Sequence, residues 1–319
     1  MIKKRWLGLV MLGCAASAQA SPFFTTFNQG AFARSFLLPS LSESQVLAAD
    51  AARSQYALDQ TNDYHFGRSG NETITIDGET ARFSLRYARG FGDGFEWNAE
   101  LPVLHQGGGF MDSFIERWHS WFGLPNGGRE ATPRNQYLYR VTRNGSTIFQ
   151  RSESGTALGD ARIGGGWQLR PGIALRAALQ LPTGSKSKFT GGNAGLALWA
   201  DAALPFEQQS AWRGFASLGA TLAQRSEVLP DLQKREAVFG GFGLSYGWNE
   251  ALNFTAQLYG HTALYKGTQL DALQRPGLQA AFGGSYAFSH NTELRLAVQE
   301  DPVTTSSPDF SVHIAVQVR

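Results

Sequence analysis

Short segments of about ten residues that alternate between apolar and polar or small side chains fill the second half of this chain, up to its last residue. In the final segment Phe310, Val312, Ile314, Val316 and Val318 form one set, and Ser311, His313, Ala315, Gln317 and Arg319 form the other. A β-strand sends alternate side chains to opposite faces, so each such segment has one apolar face and one polar face. Many such strands behind an export signal, with no stretch of about eighteen apolar residues, point to an all-β fold, a transmembrane β-barrel. Lipid covers its apolar faces and the lumen receives the polar ones.

The export signal is explicit. Lys3, Lys4 and Arg5 precede an apolar run from Trp6 to Gly13, and Ala18, Gln19 and Ala20 stand just before Ser21. Residues 1–20 are therefore expected to be a signal peptide cleaved after Ala20. A rival lipidation site at Cys14 is disfavoured by Met11, which fits a lipobox poorly. Cleavage after Ala20 removes the only cysteine, which excludes disulfides and thiolate metal sites from the mature chain. It also removes three of the 28 basic residues and no acidic ones, leaving 25 basic against 26 acidic. The formal charge of +2 thus belongs to the targeting segment, and nothing supports nucleic-acid binding.

Residues 21–52 lack clear alternation, contain Pro22 and Pro39, and are rich in Ser, Ala and Phe. They are expected to form an extended leader in the periplasm or the lumen, with the barrel occupying 53–319. A weakly marked strand covers 53–62; clearer ones cover 80–89 and 93–102, joined by the tight segment from Gly90 to Gly94. From about Asp160 the rhythm is regular, and the total is about twelve antiparallel, up-and-down strands. The connections alternate between short (near Gly92, at 170–172, 205–212, 248–251 and 289–291) and long (103–157, 183–193, 224–236, 264–277 and 300–309). Short turns face the periplasm in such barrels and long loops face outward.

The largest outer loop holds two structured pieces. Residues 110–122 predict a short amphipathic helix with Met111, Phe114, Ile115, Trp118, Trp121 and Phe122 on one face, stopped by Gly123 and Pro125. Residues 136–151 predict a hairpin about Asn144 and Gly145. If that hairpin enters the membrane the strand number is fourteen; Arg140, Arg143 and Arg151 favour a place outside it.

The segment LPVLHQGGGFMDSFIERWHSWFGLPNGGRE (101–130), followed by ALGDARIGGGW (157–167) and LPTGS (181–185), resembles a family of Gram-negative outer-membrane proteins known only as a domain of unknown function. The resemblance covers nearly the whole mature chain. It implies an outer-membrane barrel with the Gly-rich helix in one loop, and it brings no substrate and no catalytic residue. FNQGAF (27–32) departs from the more Asn- and Pro-rich leader of the pattern, and Arg319 stands where such barrels commonly end in an aromatic. Recognition by the barrel-assembly machinery then relies on Phe310 and the alternating apolar positions.

The lumen-facing set is rich in opposed charges: Arg82 and Arg86, Glu96 and Glu100, then Asp160, Arg162, Arg176, Asp201, Arg295 and His313. They make either a charged constriction or a salt-bridged filling, since buried charges must be paired. On the loop helix, Phe114, Ile115, Trp118 and Trp121 are the candidates for an element that covers the mouth or lies in the membrane interface. Asp112, Glu116 and His119 share a face of that helix with metal-compatible spacing, but solvated residues opposite an apolar stripe look the same. Lys186, Lys188, Lys234 and Lys266 all fall in predicted outer loops, where ammonium groups can meet lipopolysaccharide phosphates or simply favour water. Ser311 and His313 lie about 7 Å apart along one strand, long for a catalytic pair, and no Gly-x-Ser-x-Gly occurs. Gly164, Gly165 and Gly166 lack the ending of a phosphate loop and fit bulging or close packing better.

These readings predict a monomeric outer-membrane barrel without catalytic residues, metal or cofactor, in contact with outer-membrane lipid. Its expected activity is narrow passive passage of small or hydrophobic solutes. The alternative is a filled, non-conducting barrel that engages lipopolysaccharide or a partner through its loops.

Overall fold

The computed structural model describes residues 23–124, 126, 128–129, 132–207, 209–302 and 306–319; the expected signal peptide lies outside the described residues. Three long strands come first: β1 (Ala52–Ser69), β2 (Glu72–Gly92) and β3 (Phe95–Gly107). The largest loop then carries helix α1 (Asp112–Phe122), strands β4 (Leu138–Arg143) and β5 (Ser146–Arg151), and the short β6 (Gly155–Leu158). Eight further wall strands follow: β7 (Ala161–Arg170), β8 (Ile173–Leu181), β9 (Gly195–Leu204), β10 (Trp212–Ala223), β11 (Glu236–Gly247), β12 (Leu252–His261), β13 (Gly277–Ala287) and β14 (Thr292–Glu300). The last, β15 (Phe310–Val318), closes the barrel on β1 in the register Ser54↔Val318 to Asn62↔Phe310. Closure removes both sheet edges, which no lipid group could satisfy.

The wall has twelve strands, β1–β3 and β7–β15, each antiparallel to its neighbour. Alternation sets its two faces. In β8 the buried Ala174, Arg176, Ala178 and Gln180 point inward, between the exposed Leu175, Ala177 and Leu179. Outward leucines such as Leu218, 67% exposed, form an apolar belt that only lipid can cover. At the short-turn end this belt carries the exposed Phe95, Trp167 and Trp212, with Phe95 stacked on Trp167 and Trp212 tilted against the half-buried Tyr246, the girdle expected at a membrane interface. The protein is an outer-membrane β-barrel.

β1 and β2 are longer than their sequence pattern. Beyond Asn62, the last β1 residue paired to β15, and Glu79, the last β2 residue paired to β3, they continue as a ribbon clear of the wall. Its 73–76 stretch alternates in sequence, but the buried Ile74 packs in the interior apolar cluster and not against lipid. β4 pairs with its Glu72–Asp77 stretch and β5 with β4, which keeps the 136–151 hairpin outside the membrane and the wall at twelve strands.

The leader lies in the lumen and forms no strand. It rises from Phe23 to a 3-10 turn at Ala31–Ala33 near the outer mouth, then descends to Leu47 near the periplasmic turns. Phe23, Phe27, Phe32, Phe36, Leu37, Leu38 and Leu41 join the largest apolar cluster among the described residues. At the mouth, the Phe32 ring meets those of Tyr139, Phe149, Phe189 and Tyr265 at centroid distances of 5.6–6.2 Å. Tyr137, just before β4, and Tyr139 on it reach inward because β2 carries a glycine beneath them: a Cβ at Gly78 would stand 2.8 Å from the Tyr137 ring and 3.0 Å from that of Tyr139. Gly164–Gly166 continue the regular β7 ladder, so close packing explains them; a Cβ on Gly166 would meet Arg176 Nη1 at 2.8 Å.

Candidate functional site: a charged lumen threaded by the leader

The inward parity of β2, β3, β7, β8, β9 and β14 brings most of the sequence-predicted charges together. Glu100 receives three guanidinium groups. Arg82 forms an ion pair with it, Arg86 Nε stands 3.0 Å from Oε2, and Arg162 Nη1 stands 4.0 Å from the same oxygen. Arg176 bridges Asp201 at 2.8 Å and also pairs with Glu96, while Arg295 Nε meets Glu293 at 3.1 Å. Phe27 of the leader takes Arg82 and Arg162 against its ring, at 5.3 and 4.7 Å from the centroid.

Beside the descending arm of the leader these side chains enclose a cavity of about 140 Å³. Arg53, Arg86, Glu96, Glu100, Arg162, Arg176 and Arg295 line it together with Ser40–Glu43 of the leader. Arg53 and Gln317, near strand ends at the periplasmic rim, place the cavity in the lower half of the barrel. Asp160 serves elsewhere: its carboxylate accepts hydrogen bonds from the Gly184, Gly192 and Asn193 amides and fastens the loop after β8.

The leader is held by side chains. Arg295 Nη1 donates to Phe23 O (2.9 Å), Gln257 receives from Phe24 N and donates to Phe24 O (3.1 Å each), and Tyr265 Oη donates to Phe32 O (2.8 Å). Lower down, Leu47 N donates to Glu96 Oε2 (2.7 Å) and Val46 N to Gln168 Oε1 (2.8 Å).

Asp59, Glu43 and Arg53 belong to this site and were missed in sequence, although Asp59 shares the inward parity of Gln55 and Ala57 on β1. Asp59 bonds His313 Nδ1 at 2.6 Å and lies 3.7 Å from Arg82; Glu43 pairs with Arg53 at 2.5 Å. Ser311 donates to Thr61 Oγ1 (3.1 Å), so Ser311 and His313 are engaged separately.

Helix α1 rests on the outer wall, and the leader turn and the β4–β5 hairpin close the mouth in its place. Ile115 is fully buried, and Phe114 and Trp118 pack their rings 5.7 and 5.5 Å from that of Phe310, on the lipid side of β15. Trp121, Phe122 and Phe110 are largely exposed, as suits an interfacial helix. The cause lies on the strands. Gln60, Asn62 and Glu79 have the lipid-facing parity, and unpaired polar groups facing lipid are costly. The loop satisfies them: Glu79 accepts from Gln60 and from the Phe110 and Met111 amides, and Asn62 donates to Asp112. Arg129 completes the patch, reaching Asp112 (2.5 Å), Asp309 (2.6 Å) and Asn62 (2.8 Å) over the Tyr64 ring. Glu116 pairs with Arg134 and His119 with Asn126, so the helix triad is divided among three partners. Among the described residues no group of three or more His, Cys, Asp or Glu has a metal-holding arrangement.

The four lysines stand in the outer loops. Lys186 pairs with Glu227 at 3.1 Å, and Lys188 donates to Thr156 O at 3.0 Å. The Lys234 and Lys266 backbone amides join their two loops by bonding Leu264 O and Leu232 O.

Residues 4–319 match the sequence pattern of a family described as "Protein of unknown function (DUF3187)". No curated protein matches the sequence. Among solved structures, the COG4313 outer membrane channel from Pseudomonas putida F1 is similar in fold, with a TM-score of 0.56 over 88% of this chain and 99% of that one at 11% identity. The NanC porin (TM-score 0.43, 9% identity, 84% and 100% covered) and the CymD monoaromatic hydrocarbon channel (0.42, 11%, 95% and 97%) are more distant.

Proposed function

The chain belongs to that family of unknown function, and from the barrel's own interior we propose that it is a narrow passive channel for small solutes, held shut at rest by its leader. One observation carries this reading. The twelve-strand wall closes on itself without the leader, whose stretch 23–47 is held inside it by side-chain hydrogen bonds, the Glu43–Arg53 ion pair, and ring and apolar contacts, with no strand pairing. Such a segment leaves without unpairing a single strand. Twelve strands fall between the filled eight-strand and the open sixteen-strand barrels, so a leaderless lumen has room for a small solute. The lining of opposed charges suits hydrated solutes better than hydrophobic ones.

The filled barrel remains the second reading, because the aromatic cluster around Phe32 seals the outer mouth. The two separate in planar bilayers. The intact protein should give rare, brief openings, and a barrel lacking residues 23–47 should give steady conductance steps. Silence from a folded leaderless barrel sinks the channel and leaves the filled barrel. Deleting residues 111–124 should not open the pore, since α1 lies outside the wall.

Non-enzymatic action and a monomeric state belong to the same reading. So do assembly by the barrel-assembly machinery and contact of Lys186, Lys188, Lys234 and Lys266 with lipopolysaccharide phosphates. The exposed Lys186, Lys188 and Lys266, the closed wall and the separate engagement of Ser311 and His313 support it.

A further inference from the structure

The charges around the lower cavity match in number but are shared unevenly, since Arg176 alone holds both Glu96 and Asp201. Arg53, Arg176 and Arg295 each have a carboxylate within 3.1 Å. Arg82, Arg86 and Arg162 instead share Glu100 with help from Asp59, and Asp59 is also bonded to His313. Within this trio three guanidinium groups share two carboxylates, which leaves a local deficit of pairing. It falls on Arg162, whose nearest carboxylate oxygen is 4.0 Å away and whose buried Nε has no hydrogen-bond partner. A buried guanidinium that is neither fully paired nor fully hydrated is costly, and a carboxylate fits its fork.

We propose that this cavity is a binding site for a small organic carboxylate, whose charged end meets Arg162 and Arg86 and whose apolar end meets Leu37 and Trp199. All four residues line the cavity. Arg162 is held by Phe27 from one side, so it faces the space without folding back onto the wall. The site deepens the channel reading by naming the solute class; it rests on that reading only for transit, because binding is measured without a membrane.

The test is titration of the folded, detergent-solubilised full mature chain with benzoate, benzamide and benzylammonium, followed calorimetrically. Benzoate should bind saturably, with benzamide and benzylammonium at least tenfold weaker. Arg162→Gln should lower benzoate affinity at least tenfold, and Glu100→Gln, which frees guanidinium groups, should raise it several-fold. Equal affinity for benzoate and benzamide, no benzoate binding, or benzoate affinity unchanged in either folded variant overturns the site. If Arg162→Gln does not fold, the wild-type comparison and Glu100→Gln still decide. A barrel that binds benzoate but stays silent when leaderless keeps the site and loses the channel. A conducting barrel indifferent to the carboxylate keeps the channel and loses the site.

Discussion

Oxidation of a variant carrying Leu37→Cys and Gly195→Cys should hold the barrel shut, and reduction should restore its openings. Residues 21–319 contain no cysteine of their own, so in a chain that starts at Ser21 the pair has one possible bond. A Cβ built on Gly195 stands 3.3 Å from Leu37 Cβ, near the roughly 3.5–4.5 Å separation of disulfide Cβ atoms. The bond would tie the descending arm of the leader to β9. Release of the leader exposes at least Phe32 and Phe36, at about 1.5–3 kcal/mol each, so the open fraction at rest is on the order of 1% or less. A covalent tie removes that fraction altogether, and single-channel recording reads its loss as complete silence. Oxidised and reduced forms that open equally often would show that ions pass beside the leader and that it gates nothing.

Legibility in the sequence followed the environment of each residue. From β7 to β15 one face meets lipid and the other the lumen, and the period of two fixes strand, face and topology. The same period put Arg82, Glu96, Glu100, Arg162, Arg176 and Arg295 inside. It failed where lipid is absent. The ribbon above Asn62 stands clear of the wall, and the leader has no strand pattern because its partners are side chains. A composition signal for the leader was present: Phe23, Phe24, Phe27, Phe32 and Phe36 crowd fourteen residues, too apolar for a segment left in water. The position of α1 was also written in the chain, as Gln60, Asn62 and Glu79 at lipid-facing parity. With β1 only weakly marked, the sequence pattern alone does not set those polar residues apart as a patch awaiting cover.

That patch makes Arg129→Ala the substitution with the largest expected effect on structure. Arg129 is 2% exposed and is the cation bonded to both Asp112 and Asp309. Removing one partner of a buried ion pair costs about 3–5 kcal/mol, because the remaining charges stay desolvated. The loop can escape that cost by lifting α1 off Phe310, so the loss should appear as local opening with the wall intact. Three kcal/mol raises the open population by roughly two orders of magnitude, and tryptic cleavage after the exposed Arg117 should accelerate accordingly. The effect should depend on pH. Asp77, on the ribbon above the wall, is pushed up to about 7 by burial, with Asp112 and Glu79 adding to the shift and Arg129 opposing it. A carboxyl raised in the folded state favours that state while protonated, so its contribution is lost as pH climbs from about 4 through about 7. Without Arg129 the opposing cation is gone, and cleavage of the variant should be faster at about pH 8 than at about pH 5 beyond the enzyme's own pH dependence. The leader is untouched by this change, because the patch lies on the opposite side of the wall. Arg129→Ala in the Leu37→Cys, Gly195→Cys background should therefore still shut on oxidation. Openings that persist in that oxidised triple variant would instead make the loop helix part of the gate.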